Sequence, residues 1–401
     1  PVETSQSRQS SASSSTAAFD WPLNPGVTPI EPQIAAHSFT YNFAGGAPDT
    51  RLFPFDEFKS CVRASLSRPN PDDLNYSAYA GSPLFIQQAT DYLRRMRAIT
   101  DKELIVVNGS QEALYLTARL LLQPGDKVAV ESLGYRPAWD TFRTAGAELL
   151  AVRQHDQGID IEHLTTLLET QAIKLLYLTP LHQYPTTVTL PIHERLAIYR
   201  LAVKHKVVII EDDYDHEFHY DSQPLAPMAA DDPYGQIVYL STFSKLLFPG
   251  CRLGVMAVPP SLAPYLLNYR KLINHKPNFL MQDALGRWMR EQGFERHLRR
   301  TTKRYQQRRD HLAAELNALK SKGIELDFTQ PAGGMALWVD VKRDAEQLAQ
   351  YGREHGIYLV AEPFFHLHAN NNQNRYIRLG YASMTREQLT EGLAELASFW
   401  R

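Results

Sequence analysis

The sequence predicts an α/β protein built on a mostly parallel sheet, with a smaller α+β unit after it. Between residues 82 and 210, short apolar runs alternate with helical segments. Near-continuous apolar strands between helices are the pattern of a parallel sheet covered on both faces. The rhythm changes after about residue 278, where long helical stretches to about 319 precede three more strand-like runs. A chain of 401 residues is long enough for a large core and two domains.

The elements follow in order. Residues 1–18 (PVETSQSRQSSASSSTAA) are Ser-rich and nearly free of apolar side chains, so they read as a flexible linker. The chain begins at Pro1 rather than Met, and a linker there points to an upstream module. Residues 19–36 carry four prolines and read as an extended arm. Phe85–Arg97 and Gln111–Leu122 have helical patterning. Leu104–Val107, Lys127–Val130, Leu149–Val152, Lys174–Leu178, Val207–Ile210 and Ile237–Leu240 read as strands of the first sheet. Ala336–Val339, Tyr358–Val360 and Tyr376–Leu379 read as strands of the second. The expected division is 37–275 for the large domain, with its N-terminal segment contributing to the small domain or the dimer, and 276–401 for the small one. No internal repeat is visible.

Composition excludes several classes. A net charge of −2 excludes a uniformly basic nucleic-acid binder. Cys61 and Cys251 are the two cysteines, too few for a disulfide scaffold, and a reducing cytosol fits them best. No apolar run approaches membrane-spanning length, and no signal-peptide core follows the start.

The chemistry concentrates in Ser241-Thr-Phe-Ser-Lys245-Leu-Leu-Phe-Pro-Gly-Cys-Arg252. A lone lysine at the end of a buried strand is costly unless something uses it. Burial favours its neutral form, which condenses with carbonyls. Thr242 before it and Arg252 after it suit the phosphate of a phosphorylated aldehyde, which points to pyridoxal 5'-phosphate (PLP) on Lys245. A surface lysine with Arg252 in an ordinary ion pair is the competing reading.

Three more segments supply what such a site needs. Leu104–Leu114 reads as strand, Gly-Ser turn and helix start, and a helix N-terminus offers Ser110 and Gln111 N–H groups to a phosphate. A plain turn with a serine cap is the alternative. Val207–Glu217 ends a buried strand in acids, where open α/β sheets bind ligands. Asp212 there would keep a pyridine nitrogen protonated, with the Tyr214 hydroxyl near the ring oxygen. A solvated acidic loop or a metal site competes, though no paired histidines accompany the acids. Tyr135 follows another strand and would stack on the ring, or else is a turn tyrosine packed on the core.

With these residues in view, the segments GSQEAL, ESLGYRPAW, EDDYDHEFHY, STFSKLLFPGCRLG and RYIRLGYAS occur in the order and spacing of fold-type I PLP enzymes. The chain resembles the aspartate aminotransferase superfamily, and within it the aminotransferase-like domain of MocR/GabR-type bacterial regulators, over roughly residues 37–401. The resemblance implies roles. Lys245 resembles the lysine of the internal aldimine and Asp212 the pyridine-nitrogen partner. Thr242, Arg252, Ser110 and Gln111 resemble the phosphate cup. Tyr76 resembles a tyrosine that reaches the phosphate from the other subunit, which implies a homodimer. Arg378 resembles the arginine that clamps a ligand carboxylate.

Two departures stand out. The aminotransferase signature Asn-Pro-Thr-Gly here reads Tyr184-Pro-Thr-Thr187. An aromatic at the Asn position resembles the regulators, whereas Thr187 in place of Gly leaves the loop geometry open.

The resemblance therefore implies a PLP-binding, effector-sensing and dimerisation domain of a GntR/MocR-type regulator in the bacterial cytoplasm. It would take an amine or amino acid as external aldimine, and contact DNA through an upstream winged-helix domain. A class I/II aminotransferase is the alternative; a scaffold that has lost PLP fits poorly with Lys245 and Asp212 both present. Arg296, Arg299, Arg300, Lys303 and Arg304 share one helical face opposite Phe294, Leu298, Tyr305 and Leu312. A solvated face is the ordinary reading, and a track for DNA the functional one. His366 and His368, in a loop before Arg378, read as solvated rather than metal-bound, with lining a pocket as the alternative, and Cys251 reads as a packing residue.

Overall fold

In the computed structural model the apolar runs form one sheet of seven strands. They are β1 (Glu103–Val107), β2 (Lys127–Glu131), β3 (Glu148–Val152), β4 (Ile173–Leu178), β5 (Val208–Asp212), β6 (Ile237–Thr242) and β7 (Gly254–Val258). Their spatial order is β1-β7-β6-β5-β4-β2-β3. Strand β7 runs antiparallel to both its neighbours, and every other pair is parallel. The structure describes residues 22, 39–67, 69, 71, 74–76, 78–221, 225–368 and 374–400. The linker over 1–18 and, apart from Pro22, the arm over 19–36 lie outside the described residues.

Eleven helices are described: α1 (Phe55–Ser67), α2 (Pro83–Arg97), α3 (Ser110–Leu121), α4 (Arg136–Thr144), α5 (Ile161–Thr170), α6 (Ile192–His205), α7 (Ala263–Ile273), α8 (Phe279–Arg290), α9 (Gly293–Ser321), α10 (Ala345–Glu354) and α11 (Arg386–Trp400). Successive strand residues point to opposite faces, and the core divides accordingly. Ile210, Leu240 and Met256 join Leu114 and Phe142 in one apolar cluster. Their neighbours Ile209, Tyr239 and Val255 join Phe85, Trp288 and Leu312 in the other. Burial on both faces is why these strands read as unbroken apolar runs.

A smaller antiparallel sheet follows, in the order β8 (Asp327–Phe328), β9 (Ala336–Asp340), β11 (Tyr376–Gly380), β10 (Val360–Ala361). The run expected over Tyr358–Val360 divides between two partners. Ile357–Tyr358 pairs in parallel with Tyr41–Asn42, while Val360–Ala361 pairs with β11. That division ties residues 41–46 to the edge of the smaller sheet. Phe43 N–H donates to the Tyr358 carbonyl (2.7 Å), and Gly380 N–H donates to the Phe43 carbonyl (2.8 Å). Among the described residues no helix is long and apolar enough to cross a membrane.

One buried ion pair locks α2 to the end of β5. Arg97 is 1% exposed, and its Nε and Nη2 donate to Asp213 Oδ2 at 2.9 and 2.5 Å. Burial raises the Asp213 carboxyl, but the Arg97 charge and the Tyr239 hydroxyl hold it below the usual value. A carboxylate depressed in the fold stabilises above its unfolded pKa, and the contribution disappears as pH falls through the folded value. Arg97→Ala leaves a buried charge unpaired and should cost about 3–5 kcal/mol. Urea unfolding checks this, and an unshifted midpoint would show that the pair contributes nothing.

Candidate functional site

Register assembles the phosphate end of the site. Gly254, the first residue of β7, lies opposite Thr242 of β6 on one side and Val107 of β1 on the other. Arg252, two residues earlier, is thereby set beside the turn that leaves β1. Its Nη2 donates to the Asn108 carbonyl (2.7 Å). Gly109 sits under that guanidinium with φ 84°, and a Cβ there would lie 2.9 Å from Arg252 Nη2. Glycine meets both the conformation and the space. Gly109 is also the residue that caps α3, so the serine-cap alternative for Ser110 does not hold. Ser110 and Gln111 open the helix, where N–H groups are unpaired and the dipole is positive. The Gln111 side chain turns away, donating to the Pro137 carbonyl and Thr141 Oγ1. Thr242 is buried, and its Oγ1 accepts from the Ser244 N–H (3.2 Å) while keeping a proton to donate.

Lys245 lies in the turn after β6. Burial lowers its pKa most, followed by the Arg378 charge, while Asp215 and Asp212 oppose them. The result favours a nucleophilic amine. Gly46 leaves room beside it, since a Cβ there would lie 3.5 Å from Lys245 Nζ. Asp212, 4% exposed, closes β5. Its Oδ2 accepts from the Tyr177 hydroxyl (2.9 Å), but its buried Oδ1 has no hydrogen-bond partner among the described residues. Burial, with the Asp213 charge added, pushes the Asp212 carboxyl up to about 7. An orphaned carboxylate oxygen in this position fits a cationic N–H donor.

Arg378 enters from the middle of β11 and is 1% exposed. Nη1 donates to the Ala44 carbonyl (3.0 Å), and the guanidinium carbon stands 5.0 Å from the centre of the Tyr184 ring. Nε is buried without a partner, and no ion pair to Arg378 is found among the described residues. Its Nε edge is therefore the one left for a carboxylate. Gly45 makes this approach feasible, because a Cβ there would collide with Nη1. Rings of Tyr135, Tyr214 and Phe365 stand edge-on to Tyr184 at 5.6, 6.3 and 5.6 Å.

The remaining expectations divide. Tyr135 is half-buried beside Asp212, and its hydroxyl is pushed up to about 12, chiefly by burial. Tyr214 does not leave its hydroxyl proton free for a ring oxygen, since it donates to the His182 carbonyl (2.8 Å). Tyr76 is 73% exposed, with its ring against His275. Thr187 adopts φ 64°, so the glycine conformation of the signature persists without glycine. Its N–H donates to the Gln183 carbonyl (2.7 Å). His366 is not solvated, because it pairs with Glu362 at 3.3 Å and its side chain is 6% exposed. His368 is exposed, Cys251 is buried, and no metal-binding cluster is found among the described residues. Sequence reasoning missed Tyr177 and Ala44–Gly46, which only long-range pairing brings in, and Asp215, three residues beyond Asp212.

These groups fit PLP. Lys245 would meet its carbonyl carbon, Asp212 Oδ1 its ring nitrogen, and Arg252, Thr242 and the α3 N-terminus its phosphate. Asp212→Asn removes the charge that pairs with a protonated ring. Truncating one side of a buried charge pair costs about 2–5 kcal/mol, which should appear as a weaker PLP dissociation constant by equilibrium dialysis. Unchanged retention would remove Asp212 from that role.

Comparison with known proteins agrees with this geometry. The chain is 28% identical over 358 residues to the probable rhizopine catabolism regulatory protein MocR of Rhizobium meliloti, covering 89% of this chain and 71% of that protein. It is 29% identical over 364 residues to the 2-aminoadipate transaminase of Thermus thermophilus, covering 88% of each. Among solved structures, the Pyrococcus horikoshii kynurenine aminotransferase in complex with PMP superposes with a TM-score of 0.82 at 26% identity, covering 90% of each chain. The fold is thus the aspartate-aminotransferase-like, fold-type I architecture. The model for aminotransferase class I and II matches residues 50–396, and the chain belongs to that family.

Proposed function

We propose that this chain is the effector-sensing and dimerisation domain of a GntR/MocR-type transcription regulator. The cofactor is PLP, which when bound supplies a carbonyl carbon that condenses reversibly with primary amines. The observation that carries the sensing reading is Tyr184. An aromatic ring, enclosed by Tyr135, Tyr214 and Phe365 and capped by Arg378, stands where an aminotransferase places an asparagine against the cofactor ring. Likeness to MocR supports the same reading.

Each residue has a task in it. Lys245 presents the amine that an effector's amine replaces, and Arg378 takes the effector's carboxylate on its Nε edge. Arg378 sits on the smaller sheet while Lys245 sits on the main one. A ligand that binds both makes contacts that differ between arrangements of the two, and so shifts their populations. Exposed Tyr76, Leu74, Tyr265 and Leu272, at 73, 60, 66 and 75%, support a homodimer face. Exposed Arg299, Arg300, Lys303 and Arg304 on α9 support a role for that face near DNA. Arg296 is committed to Glu57 at 2.7 Å.

The second reading, an aminotransferase, has its own support in the comparable likeness to 2-aminoadipate transaminase and in Lys245 as a proton-transfer group. Visible spectra of the PLP-loaded chain with a panel of amino acids and amines separate the two. Sensing predicts a spectral response without keto-acid formation; sustained keto-acid release would establish the enzyme. Arg378→Gln should weaken the response to amino acids about a hundredfold and spare that to simple amines. Neutralising Arg299, Arg300 and Lys303 together should reduce binding of duplex DNA and flatten its salt dependence. An unchanged salt slope would detach the basic face from DNA.

A further inference from the structure

The strongest feature outside the roles assigned above is the hold on Asn108, the residue between β1 and the Gly109 cap of α3. Its carbonyl accepts from Arg252 Nη2 (2.7 Å), and its N–H donates to Glu112 Oε2 (2.5 Å). One residue is thus fixed by a cation at its carbonyl and by a carboxylate at its N–H. Glu112 stands in the first turn of α3, and its own N–H donates to the Gly109 carbonyl (3.2 Å). A glutamate that reaches back over a helix start is half of a capping box. Here glycine is the cap, so no side chain returns the bond.

Glu112 is itself held from the end of α7. Its Oε1 accepts from Asn274 Nδ2 (2.6 Å), and its Oε2 lies 3.9 Å from Arg270 Nη2. Asn274 caps α7 with its N–H on the Arg270 carbonyl (3.0 Å). The two side chains are therefore four residues apart and reach the same carboxylate from one helix face. Arg270 is fully buried, and its Nη1 donates to the carbonyls of Val106 and Tyr79. Val106 belongs to β1, two residues before Asn108. Nε and Nη2 of Arg270 have no hydrogen-bond partner among the described residues, and Glu112 is the one carboxylate found there within ion-pair distance. A guanidinium buried this way is costly to keep. It joins the end of β1 to the carboxylate that holds the turn after it.

We propose that Glu112, braced by Arg270 and Asn274, is a positioning residue for the cofactor's phosphate. It acts through Asn108 rather than by touching the anion. With the Asn108 N–H and carbonyl both fixed, the Gly109 turn that opens α3 is kept in place against the Arg252 guanidinium. The charge of Glu112 works the other way, since a carboxylate near the α3 N-terminus repels a phosphate bound there. Arg270 offsets that repulsion from its place beside Oε2. The hydrogen bond of Glu112 and its charge therefore have opposite effects on phosphate binding, and substitution can separate them.

The inference rests on the PLP reading of the site, and the experiment reads the two separately. Dissociation constants of PLP and of pyridoxal, which lacks the phosphate, are measured by equilibrium dialysis for the wild type, Glu112→Ala and Glu112→Gln. A visible band absent from Lys245→Ala marks binding at the site. Glu112→Ala removes a charge-assisted hydrogen bond from the phosphate turn and should weaken PLP about tenfold while leaving pyridoxal unchanged. Glu112→Gln keeps an acceptor for the Asn108 N–H and drops the charge, so it should hold PLP at least as well as the wild type. Unchanged pyridoxal binding also shows that each variant is folded. If Glu112→Ala does not fold, Asn274→Ala, which removes the support on Oε1, should show the same selective loss by a smaller factor. Equal weakening of PLP and pyridoxal, or no weakening of PLP, overturns the positioning role in either variant. Glu112→Gln as weak as Glu112→Ala overturns the hydrogen bond as its means. A wild type that shows no Lys245-dependent band with either aldehyde would instead overturn the PLP reading itself.

Discussion

The insertion of β7 between β1 and β6 is the constraint on which the site depends. In an all-parallel sheet these two strands would each end in an independent loop. An antiparallel strand starting at Gly254, hydrogen-bonded to both, places the preceding residues above the carboxyl ends of its neighbours. Arg252 therefore reaches the Asn108 turn, and Gly254 lies in register with Thr242, three residues before Lys245. Gly254 itself cannot carry a side chain without crowding the Ser241 carbonyl, 2.9 Å from where its Cβ would stand. The turn, the strand end and the lysine are held together by backbone pairing rather than by contacts among themselves.

Around that frame the fold stores polar groups it does not satisfy. Asp212 Oδ1, Asp215 Oδ2 and Arg378 Nε are buried without hydrogen-bond partners among the described residues. A fold that left such groups in its core for no purpose would lose stability at each. They carry both signs: two carboxylates and one guanidinium. A ligand with a cationic nitrogen and an anionic carboxylate satisfies them together. Binding to the folded state alone also stabilises that state, so a bound cofactor and ligand would complete the polar core.

Legibility in the sequence followed the range of the interaction. The strands, the order of the motifs, Lys245, Asp212 and Arg252 were readable, because each depends on a local run such as a buried strand ending in acids. Tyr177 was not, since its hydroxyl reaches Asp212 only through the parallel pairing of β4 with β5. Ala44–Gly46 was not, because it arrives at Arg378 by way of the short pairing of Tyr41–Asn42 with Ile357–Tyr358. Tyr214 shows the limit of motif spacing: the residue lies at the site, but its proton goes to the His182 carbonyl. Thr187 shows the reverse. The loss of glycine in the signature left the loop uncertain, yet the left-handed turn forms around threonine.

Arg378 connects these two scales. In sequence it is one arginine in an apolar strand, where an ordinary ion pair is the natural expectation. In the fold it has no ion pair among the described residues; a backbone carbonyl from residue 44 fixes one nitrogen and the Tyr184 ring supports its face. A cation held by a carbonyl and a ring keeps its direction without being neutralised. Its charge then acts on Lys245, depressing the amine, and on Tyr184, opposing the upward pull of burial. The residue on the smaller sheet thus tunes the nucleophile on the larger one before any ligand arrives. A carboxylate placed on Arg378, as in the proposed sensing role, would cancel part of that field and favour the protonated lysine. In that proposed role, ligand binding and protonation of Lys245 would be linked through a single guanidinium.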